Sequence, residues 1–344
     1  MRSTSLKVFY KIFVFIISFF IIFQNSYSTH VTLLLSSRLL GGGYSFDEEG
    51  TSFGGRVNFN IIPALKWKEN LLIPVYSFEY SGIKDVKELV GGGTLFQQYV
   101  TNMIYIKPVF KLFSFLKIKP KLGFTSQLLK ETKDEEWGKG LFDYYKPSFC
   151  LDFELSFNEN SKLNVVPSIF NVNFYNYKTL ASEKYGQELS YVGKDILNFL
   201  ASELSIDYKI NKYMKISLYG IQKNFIDQYI IKETGEYSLD KRKDISYSVS
   251  TSFFVPIKPL GKTTIFSSLE IKFTNNNSNQ NHFDVEHTKF INNFYDYNEI
   301  SVCPHFNFNF NTVPLNLQFL YNMLLRHYTE RLKQDPQGNY FDEK

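Results

Sequence analysis

The run Phe149-Cys150-Leu151-Asp152-Phe153-Glu154-Leu155-Ser156-Phe157 decides the fold class. Phe149, Leu151, Phe153, Leu155 and Phe157 occupy alternate positions, with Cys150, Asp152, Glu154 and Ser156 between them. Successive side chains of an extended chain point to opposite faces, so one face here is wholly apolar and the other small or polar. That is a strand set between oil and water. Residues 299–310 repeat the pattern: Ile300, Val302, Phe306, Phe308 and Phe310 alternate with Glu299, Ser301, Cys303, His305, Asn307 and Asn309. Between 245 and 255, Ile245, Tyr247, Val249, Phe253 and Val255 alternate with Ser246, Ser248, Ser250 and Ser252.

Working outward, the alternation predicts thirteen strands, near 31–41, 53–61, 71–81, 98–109, 116–128, 144–156, 163–175, 196–208, 214–227, 244–255, 263–274, 297–310 and 315–328. Most are longer than the strands of soluble sandwiches, which recur every 8–12 residues. A tilted strand needs about 9–11 residues to cross a bilayer. The connections alternate in length. Segments 157–162, 209–213, 256–262 and 311–314 are short, whereas 82–97, 129–143, 176–195, 228–243 and 275–296 are long and charged. Short periplasmic turns and long external loops are the habit of outer-membrane barrels. The parity puts the mature N-terminus in the periplasm.

Residues 1–28 read as a secretory signal. Lys7 and Lys11 precede the apolar run Ile12–Phe23, broken only by Ser18, and Ser26-Tyr27-Ser28 offers small residues for cleavage near Ser28. Lys11 cuts the run short of the roughly 20 residues a spanning helix needs. Composition agrees with an exported β-protein. Among the 344 residues there are 35 Phe and 24 Tyr, which excludes a disordered chain. The formal charge of +4 falls to +1 without Arg2, Lys7 and Lys11, so nothing points to a nucleic-acid partner. The domain reading is a signal peptide at 1–28, a barrel at 29–328, and a tail at 329–344 built like an external loop.

In this pattern the chain resembles the bacterial outer-membrane β-barrel class and is porin-like in size. The resemblance implies an all-β, antiparallel, up-and-down transmembrane barrel in the cell outer membrane. It implies outer-membrane lipid and the barrel-assembly machinery as partners, small solutes as cargo, and no cofactor. Members of the class usually close with an even number of strands and end on an aromatic residue. This chain ends Asn339-Tyr340-Phe341-Asp342-Glu343-Lys344, so a fourteenth strand beyond strand thirteen is the expectation. No subunit interface is legible, and the oligomeric state is left open.

With the apolar faces toward lipid, the other faces line a lumen. By parity these carry Arg38, Arg56, Glu79, Lys107, Lys119, Lys121, Asp152, Glu154, Glu203, Asp207, Lys215, Glu270, Lys272 and Arg326. A charge facing lipid at mid-depth costs roughly 2–4 kcal/mol, so all fourteen belong to a wet or mutually paired interior. Both signs occur, which predicts weak ion selectivity. Aromatic clusters at 76–80, 144–145, 174–177 and 294–297 suit the two interface girdles of such a barrel.

Catalytic and metal motifs are poor. Gly41-Gly42-Gly43 and Gly91-Gly92-Gly93 read as flexible external-loop glycines, with no Lys-Ser/Thr pair to make a phosphate loop. His282, Asp284, Glu286 and His287 share the loop 275–296 and are a candidate for rim hydrolysis or metal binding. A solvated loop is the simpler reading of them. The sequence assigns no catalytic and no metal residue. Cys150 and Cys303 fall on the same face of strands six apart, too far for a disulfide. The leading function is a porin-like channel for passive diffusion of small solutes. The alternatives are a structural or surface-interaction barrel without transport and, behind it, a rim hydrolase.

Overall fold

The structure, a computed structural model, describes residues 30–46, 50–87, 94–178, 195–260, 263–284, 289–310 and 315–331. The signal segment, most of the tail, Gly91–Gly93, Glu286 and His287 lie outside them. Every regular element among the described residues is a strand: β1 His30–Phe46, β2 Gly50–Trp67, β3 Asn70–Lys87, β4 Thr94–Lys111, β5 Leu116–Lys130, β6 Tyr144–Ser156, β7 Lys162–Val172, β8 Phe199–Lys209, β9 Met214–Ile231, β10 Tyr237–Leu260, β11 Thr263–Ser278, β12 His282–Asp284, β13 Lys289–Ile291, β14 Tyr297–Phe310, β15 Leu315–Leu320 and β16 Met323–Tyr328. No helix among the described residues is long and apolar enough to cross a membrane.

Fourteen of these strands form one antiparallel sheet in chain order, and β12 and β13 pair as a separate hairpin. Each strand from β1 to β11 pairs with its sequence neighbour, and β11 pairs with β14. β15 and β16 both pair with β14, against 305–310 and 297–302 respectively. They are two halves of one edge strand, interrupted at 321–322, where 315–328 was expected to run unbroken. Among the described residues β1 and β15/β16 pair on one side only, so the sheet is open and the barrel of the sequence reading is not closed.

The ends of the strands follow local chemistry. Between β2 and β3 the chain reverses over Lys68-Glu69, with Lys68 at φ 53°. The short turn after β6 is tied by Asn158, whose Oδ1 accepts from the backbone N of Asn160 at 2.9 Å and of Ser161 at 2.8 Å. This is the local competition that makes Asn a turn former. At the other end several strands run on into segments expected to be loops. Gly41, Gly42 and Gly43 are strand residues, paired with Gly55, Gly54 and Phe53. Gly41 and Gly42 have glycine partners there, so nothing but the backbone ladder holds the two strands together at those two rungs. Segments 82–97 and 228–243 are largely the outer reaches of the β3–β4 and β9–β10 hairpins. The second turns at Gly235, φ 85°, where a side chain would meet both that conformation and the ring of Phe290 at 3.2 Å.

The burial of the sheet is inverted relative to a soluble one. On one face Leu204 is 44% exposed and Ile300 50%, whereas on the other Ser248 and Ser252 are each 6% exposed. An apolar face left open beside a polar face that is covered means the sheet curls with its polar side inward. Among the described residues, the apolar cluster of buried side chains sits on that inner side, near the long-connection end of β6–β9. There Phe170, Val172 and Ala201 pack with Tyr144, Phe199 and Ile221.

Candidate functional site

The registers fix which side chains share a face, because residues directly opposite in an antiparallel pair point the same way. From β1 to β6 the sequence of partners runs Arg38↔Asn58↔Glu79↔Thr101↔Gln127↔Tyr144. Six residues nearer the short turns along β5 and β6, a second row runs Lys121↔Cys150↔Ser168↔Glu203↔Ile221↔Ser246↔Asn276. Lys119 opposes Asp152, Asp207 opposes Ser217, Glu270 opposes Cys303, Lys272 opposes Ser301, and Glu299 opposes Arg326. Arg56, Lys107 and Lys215 carry the same parity through Ser81, Ile73 and Ser252. All fourteen charged residues singled out above therefore lie on one face, the inner one.

Most of the acids on that face are paired. Arg56 Nη2 donates to Glu79 at 2.7 Å, and the Tyr99 hydroxyl donates to the same carboxylate at 3.2 Å. A web crosses β4, β5 and β6. Lys107 donates to Asp152 at 3.1 Å, Lys117 to Glu154 at 2.9 Å and Lys119 to Glu154 at 2.5 Å, with Lys119 also 3.6 Å from Asp152. Lys215 lies 3.1 Å from Asp207, Arg242 2.8 Å from Asp244, and Arg326 2.5 Å from Glu299. Lys117, Lys146, Lys223, Arg242 and Asp244 join this face without having been singled out from sequence, beside Glu299, which the alternation of 299–310 had already put on the polar side. Lys117 and Asp244 sat at the ends of alternating runs and could have been found there. Lys146 and Lys223 sit where aromatic residues break the polar face, which hid the pattern.

Three lysines of the inner face have a different kind of neighbour. Lys121 Nζ sits 4.3 Å from the Tyr105 ring centroid, Lys146 Nζ 3.7 Å from that of Phe170, and Lys223 Nζ 5.5 Å from that of Phe199. The acceptors include unmatched ones: among the described residues Asp152 Oδ1, Asn164 Oδ1 and Asn307 Oδ1 are buried on this side without a protein donor.

The long-connection end is held by its own polar contacts. Asp143, 0% exposed, accepts from the Leu129 backbone N at 2.6 Å, and Asn176 Nδ2 donates to the Gly138 and Gly140 carbonyls at 3.0 and 3.1 Å. Burial pushes the Asp143 carboxyl above its ordinary value against the pull of the Leu129 and Gly140 backbone. Burial and the neighbouring Asp143 push the Tyr175 phenol up to about 12. His282 is stacked on Phe294 with centroids 3.9 Å apart, and its Nδ1 lies 3.4 Å from the Tyr295 hydroxyl. Burial, then Arg331, hold it below the ordinary imidazole range. No group of metal-ligating side chains gathers among the described residues.

The aromatic clusters divide between the faces. Tyr76, Phe78 and Tyr80 lie in mid-β3 on the apolar side, because β3 runs on to Lys87. Tyr145 stacks between Phe124 and Tyr175 at 6.2 and 6.1 Å on the apolar side, while Tyr144 and Tyr297 point inward. Cys150 and Cys303 are free thiols on the inner face.

No protein-family model matches the chain, and neither does any curated protein. Among solved structures it is similar to the outer membrane transporter YddB from Escherichia coli, at 9% identity and a TM-score of 0.33, over 86% of this chain and 54% of that one. The chain thus spans about half the length of that transporter.

Proposed function

We propose that this protein is a bacterial outer-membrane β-barrel, its apolar face against lipid and its charged face around a hydrated lumen through which small solutes diffuse down their gradients. The observation that carries the reading is the inverted burial of the sheet. An uncovered apolar surface running across the strands is far larger than the few hundred Å² a soluble monomer tolerates. A bilayer covers such a surface at no cost to the backbone, since every strand inside a closed sheet has its hydrogen bonds made. The inner charges are then spared contact with lipid, and the orphan oxygens of Asp152, Asn164 and Asn307 are met by water. Residues 1–28 would direct export, with insertion by the barrel-assembly machinery.

Closure requires that the free edges of β1 and β15/β16 be satisfied, because each bare backbone group in lipid costs several kcal/mol. Thirteen strand positions alternate in direction, so these two edges run the same way. Direct contact between them would be a parallel seam with slanted, slightly weaker bonds. At about 4.8 Å per strand and about 40° of tilt, thirteen positions close at a backbone diameter of about 26 Å. That leaves room for a water path between the side chains.

The reading assigns no catalytic step and no cofactor. It is tested by refolding the protein into planar bilayers and measuring ion conductance. Stepwise conductance supports the channel. A protein that fractionates with the outer membrane but conducts nothing is the structural or surface-interaction barrel instead. Recovery as a soluble periplasmic protein removes both.

A further inference from the structure

We propose that Lys121, Lys146 and Lys223 form an anion-attracting step on the inner wall of β5–β9, so that the channel prefers small anions over cations. The inference rests on the channel reading and deepens it by naming the class of solute.

The inner charges are held in two different ways. Toward the short turns, Asp152 and Glu154 share Lys107, Lys117 and Lys119, and Asp207 takes Lys215. A carboxylate within 4 Å of an ammonium cancels most of its field at a distance. Lys121, Lys146 and Lys223 have no such ion pair among the described residues. They rest on the faces of Tyr105, Phe170 and Phe199 instead. An aromatic quadrupole holds a cation in place but carries no net charge, so the field of the lysine survives into the lumen. The three belong to one neighbourhood: the charges of Lys121, Lys223 and Glu203 all bear on the Lys146 ammonium. Glu203, the carboxylate that bears on Lys146, is engaged by the Tyr219 hydroxyl, and Asp244, opposite Lys223, is neutralised by Arg242 at 2.8 Å. Three ammonium groups against one carboxylate leave an excess of two positive charges on this band of the wall.

The size of the effect follows from Coulomb's law with screening. An excess of about +2 felt at about 8 Å through water, with a Debye length of about 10 Å, raises the local anion concentration about twofold and lowers that of cations as much. The chloride-to-potassium permeability ratio is therefore expected to be about fourfold in favour of chloride.

The experiment is the reversal potential of the full protein in planar bilayers across a potassium chloride gradient. The unmodified protein is expected to reverse at the sign set by chloride. Replacing the three lysines together (Lys121→Gln, Lys146→Gln, Lys223→Gln) should bring the ratio close to one. Glu203→Gln, which removes the opposing carboxylate, should raise it. A cation-preferring or unselective unmodified channel overturns the inference while leaving the channel standing, and so does a triple variant with unchanged ratio. Should the triple variant fail to fold, the unmodified protein and Glu203→Gln still decide the matter. A protein without conductance overturns the channel reading, and this inference with it.

Discussion

Replacing Leu204 by Arg, with Ser205→Arg beside it as the partner variant, puts the orientation of the sheet to a quantitative test. Leu204 is at the midpoint of β8, on the apolar face, 44% exposed, opposite Pro167 and Gly220. Ser205 follows it and points inward, opposite Val166 and Tyr219. With the apolar face in lipid, arginine at 204 meets the bilayer near mid-depth and costs roughly 2–4 kcal/mol, a factor of about 30 to 700 in the folding equilibrium. With that face in water, an exposed leucine exchanged for arginine changes stability by no more than about 0.5 kcal/mol. Arginine at 205 enters the wet side and is expected to cost less than about 1 kcal/mol. The assay is urea-dependent folding into phosphatidylcholine vesicles, followed by the fluorescence of Trp67 and Trp137. Expected is a loss of 2–4 kcal/mol for Leu204→Arg and near-native stability for Ser205→Arg. Equal stabilities, or the reverse order, would refute the assignment of the two faces. Leu218, opposite Ile206 and Val249 on the same apolar face, should repeat the Leu204 result.

The edges offer a second test. In a background without Cys150 and Cys303, cysteine pairs scanned between 33–40 of β1 and 317–327 of β15/β16 should cross-link in vesicles if the seam closes directly, whereas a barrel with another strand between them gives no cross-link at any register. Burial raises the Asp143 carboxyl, so the folded loop binds a proton more tightly than the unfolded chain. Its contribution is greatest below the ordinary carboxylate value of about 3.9 and is lost as pH climbs through the raised one. Hydrogen exchange in segment 131–143, corrected for its intrinsic pH dependence, should therefore quicken as pH rises above about 4, and Asp143→Asn should flatten the change; a variant that keeps it would acquit Asp143. Finally, Cys150 and Cys303 should both label with a water-soluble maleimide in the folded, vesicle-inserted protein and form no disulfide with each other. Shielding of both thiols from water would contradict their inward placement.

Particular residues show how far the sequence reached. Asp152 and Glu154 declared their face because Phe149, Leu151, Phe153 and Leu155 bracket them, and alternation is a property of one strand alone. The same held for Glu270 and Lys272 within 263–274. What failed was the reading of the strand ends. Gly41–Gly43 looked like a loop because three glycines carry no strand preference of their own. They are extended because the β1–β2 ladder runs on through them, opposite Gly55, Gly54 and Phe53. Lys146 and Lys223 were passed over because their inner-face neighbours Tyr144, Phe170 and Phe225 are aromatic, so no local run marked them as polar-face residues.

The all-β class, the two faces and the parity of the fourteen charged side chains named at the outset were legible in the sequence, since they follow from a two-residue period that needs no partner. Which charges cancel and which do not depends on how the strands pair. Lys119 finds Glu154 at 2.5 Å because β5 and β6 pair in the register that sets Lys119 opposite Asp152, and Lys121 instead faces Cys150 and leans over Tyr105. Two residues of displacement along one strand separate a neutralised lysine from one whose field remains. That difference is set by the register between strands, which no single strand encodes.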